Sequence, residues 1–503
     1  MELDSLRGGV SATTQATAPL DISKAATGNY YYGELYYVKV RSIHGTSGDR
    51  KFLGWLGLGS KDGYSSYIDP NATPPHDRVL AVQWVGLATD GTSPNHEQPN
   101  SGAAQASTPR YLRALNYPGG ARFLGGSGNN GFYCYWQEGD GTGGPGGTYE
   151  LTLIPVPDSN EFLVRRHSDN GPVYTYDDYY MGYWKSGNEF EITFEFIPTA
   201  AFSAKHENWM GDHNATIGAR HLSEIVIPGS HDAGCSRIRR TLGNVTSQTQ
   251  GLEIYDQLMA GSRYFDLRAW QDTDNIWKIY HGKDWSTVTL QDAVDQLSTF
   301  LGKHPREVVM ASLLLEDQPG VFDNKLKAAW ELVFDKLHPY HLNSEDQNGA
   351  PRDFSRLTPN FLQSLGKNLL LFSWGQAQSW TYTNSARQQI LASPWSSGPG
   401  THMDLDGVFL DNAAATAQDI YAAYQNYTRP QGACWILHTN TPWQFKLAAD
   451  SLYAKHFRNT PPLVAYFKSG NIARPKANII NIDYVGDVVN GSNLVEAVIM
   501  SNL

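Results

Sequence analysis

Near residue 200 the sequence changes its grammar, and that change constrains the fold more than any single motif. From Tyr30 to about Pro198 the chain is written in short β-branched or aromatic runs, among them "YYGELYYVKVRSI", "RVLAVQWVGLA", "TYELTLIPV" and "EFEITFEFIP". Clusters of Gly, Asn, Asp and Pro separate them, "GDGTGGPGG" most clearly. Short strands between frequent turns predict an antiparallel sandwich or barrel. Beyond residue 200, strand-like and helical runs alternate: "EIVIPGS", "LEIYDQLMAG", "SRYFDLRAW", "TLQDAVDQLSTFLGKHP", "EVVMASLLLE", "VFDNKLKAAWELVFDKL". The strand-like "KNLLLFSW", "DGVFLDN", "GACWILHTN" and "ANIINIDYV" follow. This alternation predicts a parallel sheet wrapped by helices, and at this length a (β/α) barrel of the TIM type. The expected organisation is a loose tail over 1–27, a β-sandwich-like domain over 28–200 and the barrel over 201–503. Segments 340–360 and 393–404 read as surface loops.

A chain of 503 residues has room for two or three domains of roughly 100–200 residues each. A net charge of −11 without a basic run excludes an ordinary nucleic-acid binder and argues against docking on anionic membranes by charge alone. Three cysteines do not form a disulfide framework. The first twenty residues carry no apolar core of a signal peptide, which fits a cytoplasmic protein, or a secreted one if this is the mature form. No apolar run approaches the ~18 residues of a membrane span.

In a (β/α) barrel, reacting groups gather where the strands end. The predicted strand ends carry His231 and Asp232, Asp266 and Arg268, His281, Glu316 and Asp317, Asp411, His438 and Asp483. Two histidines suit a reaction with two proton transfers, one imidazole accepting and one imidazolium donating. An arginine between them suits a phosphate, because its planar fork binds two oxygens. The set fits in-line displacement at a phosphodiester, with carboxylates fixing the imidazole tautomers. Paired carboxylates alone would point to a glycosidase, which leaves the histidines unexplained.

The blocks "IPGSHDAG", "YDQLMAGSRYFDLR", "IYHG" and "FLGKHPREVVMASL" resemble, in order and spacing, the X region of phosphatidylinositol-specific phospholipase C. The likeness covers residues 205–310 well and the rest of the barrel weakly, through "NIINIDYV". It implies a distorted (β/α) barrel and a reaction through a cyclic phosphodiester. It implies His231 as general base, His281 as general acid, Asp232 assisting the acid side, Arg268 on the phosphate and Asp266 supporting it. Asp483 would orient the base, followed by Tyr484. Calcium-dependent members carry Asn after the first His and an acidic residue where this chain has Arg268. The Asp232/Arg268 pair is similar to the metal-independent bacterial branch, with a guanidinium in place of a cation. The expectation is therefore no cofactor, although Asp232, Asp266, Glu316 and Asp317 are oxygen-rich enough to admit Ca²⁺ or Mg²⁺.

The resemblance breaks where the inositol ring would sit. Leu314 or Leu315 replaces a family Lys, Trp374 stands near a family Arg, and Ala413 occupies a family Tyr position. Trp374, Asp411, Glu316, Tyr484 and His438 are the candidate substrate contacts. A pocket rebuilt in this way predicts altered substrate choice, which leaves phosphatidylinositol and a related phospholipid or other phosphodiester both open. Peripheral membrane contact fits such a substrate. The aromatic stretch 173–187 reads either as strand core or as a carbohydrate surface. Two rivals remain open: a metal-dependent glycerophosphodiesterase-like hydrolase, and a non-catalytic lipid- or carbohydrate-binding, toxin-like protein on the same barrel.

Overall fold

The computed structural model describes residues 35–503 apart from 45–48, 59–65, 73, 75–77, 86–110, 117–121, 127–131, 138–148, 157–158, 176–179, 184–189, 239–245, 274, 317–322, 375–377, 399–400, 443–450 and 473–476. The tail read over 1–27 and Asp317 lie outside the described residues.

Eight strands of the C-terminal half run parallel in one hydrogen-bonded order. Along that order they are Trp395–Ser397, Leu369–Trp374, Val309–Leu315, Tyr264–Gln271, Ile227–Ser230, Ile479–Ile482, Cys434–His438 and Met403–Val408. This is a barrel whose two end strands are Trp395–Ser397 and Met403–Val408. The strands are written as unbroken apolar runs because both faces are covered, as in "VMASLLL", where every residue is buried. The helix Leu290–Lys303 covers one side. Its buried Leu290, Ala293, Val294, Leu297, Phe300 and Leu301 recur at three- and four-residue spacing, the stripe a helix needs to lie on a sheet. A reciprocal Thr289–Asp292 capping box fixes where it starts. Burial of Leu297 alone stabilises by about 1.5–3 kcal/mol.

Two expectations need correction. The segment 393–404 is not only a surface loop, because Trp395–Ser397 supplies a barrel strand and Trp395 is fully buried. Three residues flanked by Pro and Gly are too short for a periodic signal. The strand expected at "DGVFLDN" lies earlier, at Met403–Val408, so it ends before Asp411. The short strand expected to end at His281 is present, as Trp277–His281. Trp277–His281 and Asp284–Thr289 form a hairpin that pairs antiparallel with Tyr264–Gln271, not a parallel strand of the barrel.

The N-terminal half is an antiparallel sheet throughout its described pairings, with the long strands Tyr36–His44 and Phe190–Pro198 at its centre. Within the described part of 173–187, Val173, Met181 and Tyr183 are buried core, with Arg166 stacked over the Tyr183 ring at 4.5 Å. Those residues are sheet interior and not a carbohydrate surface.

The two halves share one apolar cluster. Leu35, Tyr37, Trp55, Val79, Ala81 and Leu115 pack with Leu452, Tyr453 and Tyr484 of the barrel. Ser451, which caps the Leu452–Lys468 helix, also donates to Leu115 O at 2.6 Å.

Candidate active site

The first barrel strand ends in "PGSHD". Gly229 is required by close packing: a Cβ there would lie 2.9 Å from the Tyr264 ring and 3.0 Å from Ile479. His231 and Asp232 would face opposite ways in a regular strand. Asp232 instead adopts a left-handed conformation with φ of 42°, uncommon for a non-glycine residue. That turn lets consecutive side chains meet at one point, with His231 Nε2 3.3 Å from Asp232 Oδ2. The last strand ends the same way, with Tyr484 at φ of 52°.

Around this point the predicted residues converge. His231 Nδ1 donates to Asp483 Oδ1 at 2.8 Å. Asp232 Oδ2 lies 3.4 Å from His281 Nδ1, so one carboxylate sits between the two imidazoles. Arg268 Nε is 2.6 Å from Asp232 Oδ1, and its Nη2 donates to Asp266 Oδ2 at 2.9 Å. The His231 and His281 rings stand 6.4 Å apart, nearly perpendicular. His281 Nδ1 donates to Ser247 O at 3.0 Å, which turns Nε2 away from that backbone. A cleft of about 510 Å³ opens over the group, lined by His231, Asp266, Arg268, His281, Trp374, His438 and Asp483 among others.

The electrostatics follow from burial and partners. Burial alone would lower the His231 imidazole, but Asp232 and Asp483 outweigh it and raise the ring to about 9. Burial would raise Asp232, yet Arg268 first and then the histidines hold it near 2. Burial dominates at Asp483, whose carboxyl sits above the usual range despite its imidazole partner. Arg268 is held charged by its two carboxylates, against the pull of burial.

Other predicted contacts are placed differently. His438 is in the cleft, its ring 6.0 Å from His231. Its Nε2 donates to Leu405 O, and burial with the His231 charge pushes it down to about 4, so it stays neutral. Trp374 lines the wall beside Leu405, Phe409 and Ile436. Glu316 stands apart from the cleft lining and accepts from Gly282 N at 2.8 Å, bracing the turn that carries His281. Asp411 is exposed, because its strand ends too early to aim it inward. Tyr484 is buried behind the site, its hydroxyl donating to Gln248 O at 2.5 Å. The correction for these three is that strand-end position alone does not aim a side chain at the cleft.

Sequence reasoning missed the 247–250 segment. Gln250 Nε2 donates to His231 O and Ile482 O, Thr249 Oγ1 to Asp232 O, and Ser247 Oγ to Asp284 Oδ2. The run "SQTQ" has no periodicity, and most of its side-chain partners, such as His231 O, Asp232 O and the Asp284 carboxylate, are remote in sequence. Ligand atoms of His231, Asp232 and Asp266 lie within 4.8 Å of one another. The Arg268 guanidinium, however, already contacts both carboxylates.

Comparison with known proteins bears out the resemblance. Residues 225–351 match the profile of the family described as phosphatidylinositol-specific phospholipase C, X domain. The 1-phosphatidylinositol phosphodiesterase of Staphylococcus aureus (strain Newman) is 27% identical over 175 residues, 35% of this chain and 53% of that protein. Its Listeria monocytogenes namesake is 31% identical over 173 residues, 34% of this chain and 49% of that protein. The chain thus spans about half the length of these curated relatives. Among solved structures, a variant of the S. aureus phosphatidylinositol-specific phospholipase C aligns at 18% identity with a TM-score of 0.44, covering 59% of this chain and 98% of that one.

Proposed function

We propose that this chain is a phosphodiesterase of the phosphatidylinositol-specific phospholipase C type, acting on a diester that carries a neighbouring hydroxyl. The observation that carries the proposal is the paired imidazoles around Asp232 and Arg268 in one cleft. In its neutral form His231 takes the hydroxyl proton, with Asp483 fixing its tautomer through Nδ1. The alkoxide attacks phosphorus and closes a cyclic phosphodiester. Arg268 bears the charge developing on the phosphoryl oxygens. His281 donates from Nε2 to the departing alkoxide, and Asp232 sustains its imidazolium. Having attacker and phosphate in one molecule supplies proximity without an external nucleophile. Water then opens the cycle with the histidines exchanging roles.

The positive charge at phosphorus is the guanidinium, so the reaction needs no metal. Full turnover in excess chelator tests this against the metal-dependent reading. The wall formed by Trp374, Phe409, His438 and Leu405 is neutral and largely apolar, which favours a substrate other than phosphatidylinositol. Phe409, 46% exposed at the mouth, suits peripheral contact with a phospholipid surface. We read residues 28–200 as a β-sandwich-like accessory domain and 201–503 as the barrel.

The test is a panel of phosphatidylinositol, glycosylphosphatidylinositol-linked protein, glycerophosphodiesters and lysophospholipids, followed by phosphorus NMR for a cyclic product. His231→Ala and His281→Ala should each abolish turnover. Full turnover in both variants refutes the mechanism, and absence of any turnover by the wild type favours the binding-protein reading.

A further inference from the structure

We infer that the N-terminal sheet is a working part of the catalytic centre, and that Gln83 is a positioning residue for His281. The inference rests on the general-acid role proposed for His281.

The connection is short and buried. Gln83 and Arg113 are paired residues on the neighbouring strands Ala81–Val85 and Tyr111–Ala114, and both are fully buried. Polar side chains in that setting need partners. Arg113 Nη2 donates to Gln83 Oε1 at 3.1 Å, which sets the Gln83 amide so that Nε2 faces the barrel. Gln83 Nε2 donates to Gln248 Oε1, also at 3.1 Å. Gln248 Nε2 donates to Gln250 O at 3.2 Å, and Gln248 O accepts from the Tyr484 hydroxyl. The residue before Gln248 is Ser247, whose carbonyl accepts from His281 Nδ1.

That carbonyl holds the His281 tautomer, because an acceptor at Nδ1 leaves the transferable proton on Nε2. Segment 247–250 is polar and belongs to neither a helix nor a strand. Its position is fixed by hydrogen bonds, and Gln83 supplies one of them from outside the barrel. The shared apolar cluster keeps the two halves from separating, so the link is continuous. A purely tethered accessory domain would present no buried polar chain leading to a reacting imidazole.

The test uses the full-length protein and separates proton donation from general stability. Gln83→Met keeps length and removes the amide. Two diesters share the hydroxyalkyl half turned over fastest in the panel above; one leaves as methoxide, the other as 4-nitrophenoxide. Only the first needs a proton at departure. Gln83→Met should lower kcat about tenfold for the methyl ester, the scale of one lost buried hydrogen bond, with KM unchanged. For the 4-nitrophenyl ester kcat should stay within twofold.

Gln248→Met should show the same split, and the double variant should lose no more than either single one. If Gln83→Met unfolds, Gln248→Met and its leaving-group ratio decide alone. Equal losses on both esters, or additive losses, overturn the inference. His281→Ala distinguishes the premise. If it shows no leaving-group dependence, the general-acid reading fails; if it does while the glutamine variants do not, only the present inference fails.

Discussion

Asp483→Asn removes one charge from the carboxylate pair around His231 and keeps the shape. In the native protein two carboxylates lift the imidazole from 6.5 to about 9 against burial and the nearby guanidinium. Asp483 is the hydrogen-bonded one, at 2.8 Å. For charge centres ~4 Å apart and an effective dielectric of about 20, the attraction is about 4 kcal/mol, or roughly three pKa units. That gross attraction is comparable to the whole net elevation. Without it His231 should return to its ordinary range or below. If His231 is the base, the kcat/KM profile of the native protein carries a limb near 9, since only the neutral ring accepts a proton, beside the opposite limb of the acid His281. In Asp483→Asn this limb should move down by about two units or more. Neutral-pH activity should still fall by on the order of 10³–10⁴, because an amide permits the wrong tautomer. A pH–rate profile supplemented by NMR titration of the ring measures both. A limb within half a unit of the native one, as an order-of-magnitude bound, refutes the electrostatic account of His231.

The same proton makes stability pH-dependent. Because the folded-state value is raised, the stabilisation is complete below about 6.5 and is lost as pH climbs through about 9, worth about 3 kcal/mol in total. Urea midpoints across that window should fall in the native protein and flatten in His231→Gln. Arg268→Lys keeps a charge but loses the fork across Asp232 and Asp266; kcat should drop on the order of 10²–10³ by steady-state assay. Glu307 is buried and accepts from Arg263 Nε and Nη2 at 2.9 and 2.6 Å, so Glu307→Ala strands a buried guanidinium. Denaturant unfolding should show a loss of about 3–5 kcal/mol.

Much of the barrel was legible because its signals are local. Unbroken apolar runs mark strands covered on both faces, and helices such as Leu290–Lys303 carry their own stripe and caps. The helix Leu452–Lys468 was not legible, since Pro461 and Pro462 interrupt its pattern. Trp395–Ser397 was hidden by its brevity. At the site, the motif residues His231, Asp232, Arg268, His281 and Asp483 come together, whereas Asp411, Glu316 and Tyr484 lie off the cleft lining. A strand end fixes where a side chain starts, and the backbone turn after it decides where the side chain points.

That distinction explains the two left-handed residues. Asp232 and Tyr484 each follow a strand-end residue facing the cleft, His231 and Asp483. A non-glycine residue held there costs roughly 1–3 kcal/mol, a strain that persists only where surrounding contacts over-determine it. Those contacts are present: Tyr484 N donates to Thr249 O at 2.7 Å, and Thr249 Oγ1 donates to Asp232 O. One residue of the 247–250 segment thus pins both turns. One turn brings Asp232 to the imidazoles; the other sends Tyr484 back into the cluster shared with the N-terminal sheet. Thr249→Ala would remove only the hydroxyl that holds the first turn, leaving the carbonyl on the second. Turnover should fall while the Tyr484 packing, read by near-ultraviolet circular dichroism, is preserved. If the spectrum collapses together with activity, the two turns are one cooperative unit and their separate roles do not hold.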